Sequence, residues 1–186
     1  LIGASRTVVS KQIVEHARHG VVVDFGSSDS QIVDGRFSDM NQALVDIHGE
    51  ASRDTLVRGN RLEEGRIGII VGGGGRAVHC NDGPRHHLLN NVINDVSIAG
   101  VSVSDYTTDV FVRSNTFDDN SSHLLVTFGA RDVVFEQNLV GSAAVTPLTV
   151  ALDDSGGVRI NHNQFTEACD AQESVLVLGN AEPPSF

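Results

Sequence analysis

Two residues of the stretch "ALVDIH", Asp46 and His48, have the chemistry of a general acid and base. Residues 43–48 alternate in polarity, which predicts a β-strand with Val45 and Ile47 on its buried face. Alternate residues of a strand point to the same side, so Asp46 and His48 are predicted to lie together on the outer face. A carboxylate beside an imidazole can move a proton to or from a substrate, and we predict catalytic roles for both residues.

A second group of chemically capable residues lies in residues 71–87, "VGGGGRAVHCNDGPRHH". This stretch combines four consecutive glycines with the densest grouping of histidine and arginine in the chain. No Gly-Lys-Ser or Gly-Lys-Thr follows the glycines, which excludes a phosphate-binding loop of that type. We predict a surface loop that carries three further catalytic residues, His79, Arg85 and His87, with His86 beside them.

These residues lie within a sequence repeat, which determines their positions. Five stretches share one pattern, in which an apolar residue, two variable residues, an Asn and one variable residue precede a second apolar residue. Their asparagines are Asn60, Asn91, Asn115, Asn138 and Asn163. The steps between them are 31, 24, 23 and 25 residues, and two weaker copies place Gly35 and Lys11 in the Asn position. Such a period indicates a repeat protein, and the one long step contains the 71–87 insertion.

Each repeat unit is predicted to consist of short strands. Runs of Val, Ile, Leu and Thr with period two flank each Asn, and Gly, Asp, Asn and Ser fill the gaps. Only residues 12–19 suggest a helix. A unit of this size cannot bury its own apolar face, whereas stacked coils share one core. The sequence therefore predicts an all-β solenoid of about seven coils, a single domain over residues 1–186, with the asparagines stacked as a hydrogen-bonded ladder.

The segments "DVFVRSNTF" and "DVVFEQNLV" resemble the repeats of right-handed parallel β-helix proteins of the pectate-lyase-like superfamily. The resemblance covers nearly the whole chain and implies a right-handed parallel β-helix. Many members of that superfamily cleave or epimerise acidic polysaccharides, whereas others are adhesins, viral spikes or periplasmic proteins, so the fold alone does not choose a function. The Gly-His-Gly and Arg-x-Lys motifs of pectin-hydrolysing members are absent, which argues against hydrolysis of that type.

Equal positions in successive coils lie above one another, so the repeat adds residues to the face that carries Asp46 and His48. These residues are small or polar and are predicted to line a sugar-binding groove: Ser102, Ser104, Thr127 and Asp153. Two outward arginines of the strand before the Asn, Arg58 and Arg113, are predicted to bind an acidic substrate. Arg85 occupies a position that holds Asp in other coils, which predicts either an ion pair between coils or contact with an acidic sugar.

An acidic row follows the Asn by three or four residues, and its central members are Asp95, Asp118 and Asp119. Carboxylates one coil apart are separated by about 4.8 Å. Several hard oxygens at such a separation suit Ca²⁺, the cofactor that we predict for this row, although the same residues would also keep a turn solvated.

The remaining features concern partners and location. Leu56, Leu89, Phe111 and Val134 form an outward apolar face, which predicts a cover by a second copy or a flanking domain. The formal net charge of −11 argues against nucleic acid, and the absence of a long apolar run argues against a membrane span. Neither end shows a cap, so we expect a piece of a longer, exported chain, extracellular or at the cell surface, with the periplasm as the alternative.

Two functions are compatible with these features. The first is a carbohydrate-active enzyme, a polysaccharide lyase or glycoside hydrolase, which acts on a polysaccharide in a groove beside the insertion. The second is a non-catalytic module of an adhesin, spike or other surface protein that binds a glycan or a protein. Convergence of Asp46 and His48 with the histidines of the insertion would favour the enzyme.

Overall fold

The computed structural model describes residues 1–49, 51–72, 83–151 and 155–166, together with the backbone of residues 176–179. Within these residues every regular element is a strand. The strands in chain order are β1 (Val8–Ser10), β2 (Ile13–Ala17), β3 (Val21–Val23), β4 (Gln31–Val33), β5 (Arg36–Ile47), β6 (Leu56–Arg58), β7 (Arg61–Val71), β8 (His86–Leu89), β9 (Val92–Val103), β10 (Thr108–Arg113), β11 (Thr116–Asp118), β12 (Leu124–Val126), β13 (Arg131–Glu136), β14 (Leu139–Val140), β15 (Leu148–Ala151), β16 (Arg159–Asn161), β17 (Gln164–Phe165) and β18 (Leu176–Gly179).

The strands form three stacked faces around one core. The first sheet has the order β1-β4-β6-β8-β10-β13-β16. The second sheet contains β2, the first halves of β5, β7 and β9, and then β11, β14 and β17. The third sheet contains β3, the second halves of β5, β7 and β9, and then β12, β15 and β18. All these pairings are parallel and complete about six turns, which confirms the predicted right-handed parallel β-helix.

A buried row of asparagines, here called the Asn ladder, links the coils at the corner between the first and second sheets. It consists of Asn60, Asn91, Asn115, Asn138 and Asn163. The backbone N and the Nδ2 of Asn60 both donate to Oδ1 of Asn91, at 3.0 and 3.1 Å, and Nδ2 also donates to the carbonyl oxygen of Ile32. The pattern repeats at the next three rungs. Each buried amide is therefore satisfied by its neighbours, as predicted.

Two predictions for the first coil are wrong. Residues 12–19 contain strand β2 rather than a helix, and His16 has a left-handed φ of 57°, which no right-handed helix accommodates. Gln12, and not Lys11, lies opposite Gly35, because Arg36 N donates to Gln12 O while Ser10 pairs with Val33. Parallel pairing with β5 outweighs the weak helical pattern of this segment.

The corner from the third sheet into the first sheet explains the row of aspartates that precedes the Asn positions. Asp29, Asp54, Asp109 and Asp132 all have left-handed φ values, between 52° and 55°. Asp tolerates this conformation better than most residues, because its short polar side chain can hydrogen-bond locally. Arg85 has the same conformation in its coil, with a φ of 67°. The row is thus a structural corner that leads into the first sheet.

Candidate functional site

A groove of about 460 Å³ lies on the outer side of the third sheet. It begins where β5 and β7 change register, between Met40 and Ala43 and between Gly65 and Ile67, and these irregularities lie next to Gln42 and Arg66. The groove is lined by His19, Gln42, Asp46, Arg66, Ile67, Ile70, Gly72, Ile98, Ser102 and Ser104. Gly72 belongs to the 71–87 insertion and lines the groove, so the groove lies beside the start of that insertion.

Four side chains at one end of the groove alternate between imidazole and carboxylate, and we call them the His–Asp cluster: His19, Asp46, His48 and Asp24. Asp46 is the central member, with Oδ1 2.8 Å from Nδ1 of His48 and Oδ2 3.1 Å from Nδ1 of His19. Nε2 of His48 lies 3.2 Å from Oδ2 of Asp24. Asp46 is therefore held between two imidazoles, and His48 between two carboxylates.

The members of the His–Asp cluster differ in exposure and in hydrogen bonding. The Asp46 side chain is 7% exposed, whereas those of His19 and His48 are 20% and 28% exposed. Nδ1 of His19 is buried and lies outside the angular range of a hydrogen bond to Asp46, despite the short distance. Oδ1 of Asp24 accepts the backbone N–H of Phe25 at 2.6 Å, which orients this carboxylate toward His48. The cluster thus combines a buried acid with half-buried bases at the edge of a groove.

The predicted adjacency of Asp46 and His48 is present in the structure, and their row continues as the repeat predicts. Asp46 lies beside Ile70, then Ser102, then Leu125 in successive coils. Ser102 and Ser104 line the groove. Thr127 continues the row of Ser104 but is only 4% exposed and lies outside the groove lining. His79 and Asp153 lie outside the described residues.

Arg85 lies at a corner between the third and first sheets rather than in the groove. Its Nε and Nη2 donate to the two carboxylate oxygens of Asp54 in the preceding coil, at 2.6 and 2.8 Å. This bidentate pair holds the pKa of Asp54 below its usual range and raises the pKa of Arg85. Of the two alternatives for Arg85, the ion pair between coils is the one that the structure contains.

The other residues near the insertion belong to the first sheet. His87 points outward from β8 and stacks on Phe111, with ring centroids 4.9 Å apart and planes 8° from parallel. His86 points inward, is 1% exposed and lies with Nε2 2.8 Å from the carbonyl oxygen of Gly83. Burial lowers the pKa of His86 to about 4. Neither histidine joins Asp46 and His48, so the predicted convergence is not found among the described histidines of this segment.

Arg58 and Arg113 also project from the first sheet, in one row through Leu89. Nε of Arg113 donates to Oε1 of Gln137 at 2.7 Å and lies 3.5 Å from Glu136. The apolar neighbours Leu56, Leu89 and Phe111 are half-buried, and Val134 is buried. The predicted partner face thus has no strongly exposed apolar side chain at these positions, and its cover by a subunit or domain stays a prediction.

The acidic residues predicted to bind Ca²⁺ occupy two different positions on the coil. Asp118 lies in the outward row of Glu63 and Asn94 on the second sheet, whereas Asp95 and Asp119 occupy a left-handed corner with φ of 55° and 49°. Asp118 and Asp119 both accept hydrogen bonds from Ser142 in the next coil. Among the residues that the structure describes, no group of three or more His, Cys, Asp or Glu side chains is arranged to hold a metal ion.

Sequence reasoning missed three residues of the site, His19, Asp24 and Arg66. Asp24 lies one coil before His48, and the period of 24 residues would have found it. His19 was hidden because its segment was interpreted as a helix, which removed it from the row analysis. Arg66 lies within the register irregularity of β7, where counting by a fixed period fails.

Comparison with solved structures finds a match to the crystal structure of the periplasmic alginate epimerase AlgG. The TM-score is 0.52 with 12% sequence identity, over 92% of this chain and 50% of that chain. The two proteins share a fold. The predicted parallel β-helix fold is therefore confirmed, while this chain spans half the length of its structural neighbour. No protein-family model and no curated protein sequence matches the chain.

Proposed function

We propose that this chain modifies an acidic polysaccharide in the groove of the third sheet, by removing the proton next to a uronate carboxyl group. The observation that carries the proposal is the position of Asp46, held between two imidazoles in a groove that also contains Arg66. A base, an acid and a cation are the three groups that such a proton transfer requires.

Each group has a role in this proposal. His19 lines the groove and acts as the base that accepts the substrate proton, while the charge of Asp46, 3.1 Å from its Nδ1, stabilises the imidazolium that forms. His48, placed between Asp46 and Asp24, holds the Asp46 carboxylate in position. In elimination the bond from the neighbouring carbon to the glycosidic oxygen breaks as the proton leaves, and that oxygen takes a proton from water; in epimerisation a proton returns to the opposite face of the same carbon. Arg66 binds the sugar carboxylate and stabilises the negative charge that develops on it after the proton leaves. Ser102 and Ser104 bind sugar hydroxyls.

The groove supports proton transfer better than hydrolysis. Glycoside hydrolases use two carboxylates on either side of the scissile bond. Among the described residues that line this groove, Asp46 is the single carboxylate. A base, an orienting acid and an arginine suit β-elimination or epimerisation at the carbon that carries the carboxyl group, so of the two enzyme classes predicted from the sequence we favour the lyase type, with epimerisation as its variant.

The structural neighbour supports the proposed substrate class and location. That neighbour is a periplasmic epimerase of alginate, a polyuronate. We propose a uronate-containing polysaccharide as the substrate and an extracellular or periplasmic location for this chain. No helix within the described residues has the length and apolar character needed to cross a membrane.

Hydrogen exchange tests the proposal directly. The 186-residue chain is incubated in D₂O with alginate, with polygalacturonate and with a neutral glucan, each with and without Ca²⁺. If the proton is returned, as in epimerisation, we expect NMR to show deuterium at the carbon that carries the carboxyl group; if the proton is lost in elimination, we expect a carbon–carbon double bond at that carbon and no deuterium there. Unsaturated ultraviolet-absorbing ends would identify elimination, and a changed ratio of epimers would identify epimerisation. New reducing ends without deuterium or unsaturation would contradict the proposal.

A second candidate function is a non-catalytic glycan-binding module. It is favoured by the separation of His86 and His87 from the His–Asp cluster, which removes the predicted catalytic contribution of those residues. Binding of a polyuronate without any exchange, elimination or epimerisation would establish this alternative. A Ca²⁺ requirement in either assay would support the metal role predicted for Asp95, Asp118 and Asp119.

A further inference from the structure

Exposed aromatic side chains are concentrated at one turn of the coil. Within the described residues, Phe25, Tyr106, Phe128 and Phe165 are exposed by 68%, 43%, 41% and 40%. The first three lie in the turn that leads from the third sheet to the first sheet, directly after the outward row that contains Asp24, Ser104 and Thr127. A chain that is only 5% aromatic thus places most of its exposed rings along one edge.

The backbone at this turn does not suit aromatic residues. Thr107 N donates to Ser104 O and Ala130 N to Thr127 O, both at 3.2 Å, which closes two four-residue turns in adjacent coils. The central residues are left-handed, with φ of 60° for Tyr106 and 50° for Phe128. Gly, Asn and Asp normally fill such positions, and a bulky residue there is strained. Observed strain of this kind is a reason to look for function.

The two turns hold the Tyr106 ring in a fixed place. Tyr106 N donates to Phe128 O in the next coil at 2.9 Å. The ring lies against Gly129, where an added Cβ would come within 2.5 Å of Cδ1 and Cε1 of Tyr106. Gly129 therefore leaves the space that this ring fills, and the two aromatic residues present their rings on neighbouring coils. A binding surface that is ordered in advance loses less entropy on binding.

We propose that Tyr106 and Phe128 form a stacking platform for a sugar ring of the polysaccharide that occupies the groove. The platform is continuous with the groove, because Ser104 lines the groove and lies two residues before Tyr106. The C–H face of a pyranose is apolar and packs on an aromatic ring, while its hydroxyls remain in water. The platform rests on the proposed function, since it binds the same polymer and extends its path along the axis, coil by coil.

Glycine substitutions test the platform, because glycine adopts the left-handed conformation without strain. Tyr106→Gly and Phe128→Gly remove the rings, and Phe111→Ala removes an outward ring from the first sheet as the matched control. Binding of polymeric alginate and of its disaccharide is measured by calorimetry, with melting temperature recorded for each variant. We expect each glycine variant to bind the polymer about fivefold to tenfold more weakly, with unchanged disaccharide binding and an unchanged or higher melting temperature.

Three other results would each overturn the platform. Polymer affinity equal to that of the wild type would show that the rings do not bind sugar, even if the wild type catalyses exchange as proposed. A lower melting temperature with unchanged affinity would show that the rings serve packing. An equal loss of affinity in Phe111→Ala would show a nonspecific effect. If the wild-type chain neither binds nor alters any polyuronate, that result contradicts the proposed function, and the platform, which depends on it, is rejected as well.

Discussion

The Asn ladder and the His–Asp cluster are both rows of polar side chains that cross from coil to coil, yet they are organised differently. Each rung of the ladder contains the same residue, which makes the same hydrogen bonds to its neighbours. The His–Asp cluster alternates acid and base, leaves Nδ1 of His19 without a hydrogen bond and lies at a groove. In this solenoid, repetition marks structure, and departure from repetition marks a candidate site.

The two rows also differ in their relation to water. Asn60, Asn91, Asn115 and Asn138 are each 1% exposed, so every polar atom in the row needs a protein partner. The imidazoles of His19 and His48 are partly exposed and can exchange protons with a substrate or with solvent. Substitutions in the ladder should therefore affect stability, and substitutions in the cluster should affect chemistry.

Asp46→Asn should give the largest effect on activity. The amide keeps the shape of the side chain but cannot stabilise an imidazolium on either side. We expect the rate of elimination, or of deuterium exchange if the chain epimerises, to fall about 100-fold or more, with a melting temperature close to that of the wild type. Asp132→Asn, at an exposed left-handed corner that asparagine also tolerates, is the control and should retain full activity. Equal losses in the two variants would remove the catalytic assignment.

Asn115→Ala should give the largest effect on stability. Asn115 accepts from the backbone N and Nδ2 of Asn91 and donates to Leu88 O and Asn138 Oδ1, so its loss leaves several buried groups unpaired. We expect the free energy of unfolding, measured with urea, to fall by about 3 kcal/mol. Asn163→Ala, at the half-buried end of the ladder, should cost about 1 kcal/mol. A larger loss for Asn163→Ala than for Asn115→Ala would contradict the rule that burial sets the free-energy cost.

Acid should destabilise the fold through buried histidines outside the His–Asp cluster. Burial lowers the pKa of His86 from its ordinary 6.5 to about 4, and burial also lowers the pKa of His123. Because the unfolded chain takes up these protons at a higher pH than the folded chain does, stability should fall as the pH drops from about 6.5 towards 4. For His86 the loss is about 2–3 kcal/mol.

His86→Gln isolates this contribution, because glutamine can still donate a hydrogen bond to Gly83 O but does not titrate. The variant should be somewhat less stable at neutral pH and should lose less stability between pH 6.5 and 4 in urea titrations at each pH. An unchanged pH slope in the variant would show that His86 is not a source of the acid sensitivity.

Arg85→Gln should give the smallest effect. The Arg85 and Asp54 side chains are 54% and 28% exposed, so water screens their attraction, and we expect only a small loss of stability. The clearer readout is the Asp54 carboxyl itself, because the guanidinium that lowers its pKa is gone. NMR titration should therefore show the pKa of Asp54 rising toward its ordinary value, and an unmoved pKa would contradict the ion pair.

The sequence predicts the architecture well because a solenoid repeats its strongest signals. The Asn period and the two-residue alternation around it identify the parallel coils, the ladder and the shared face of Asp46 and His48. The same period fails where a coil departs from it. The first coil was offset by one residue at Lys11, and the irregularity of β7 hid Arg66. These failures removed His19 and Arg66 from the predicted site.

The predicted grouping of Arg85 and His87 with Asp46 differs from the structure for another reason. Both residues were predicted from the composition of the 71–87 insertion, but they lie opposite Asp54 and Leu56, beyond the next corner of the coil from Asp46. The repeat period tells how far along the solenoid axis a residue lies. Which face of the coil the residue occupies depends on where the corners fall. The left-handed φ values of the corner aspartates are the signal that separates the faces, and the sequence shows them only as a preference for Asp.

The uniform Asn ladder also makes the molecule modular in length. Residues 116–138 make up one complete rung-to-rung segment, and Leu139 already pairs with Thr116 in register, so excision of this segment would let Asn115 meet Asn163 as it now meets Asn138. The His–Asp cluster, several coils away, would not be displaced. Gain or loss of whole coils is thus a route by which such a solenoid can evolve a longer or shorter surface for the proposed polymer without redesign of the His–Asp cluster.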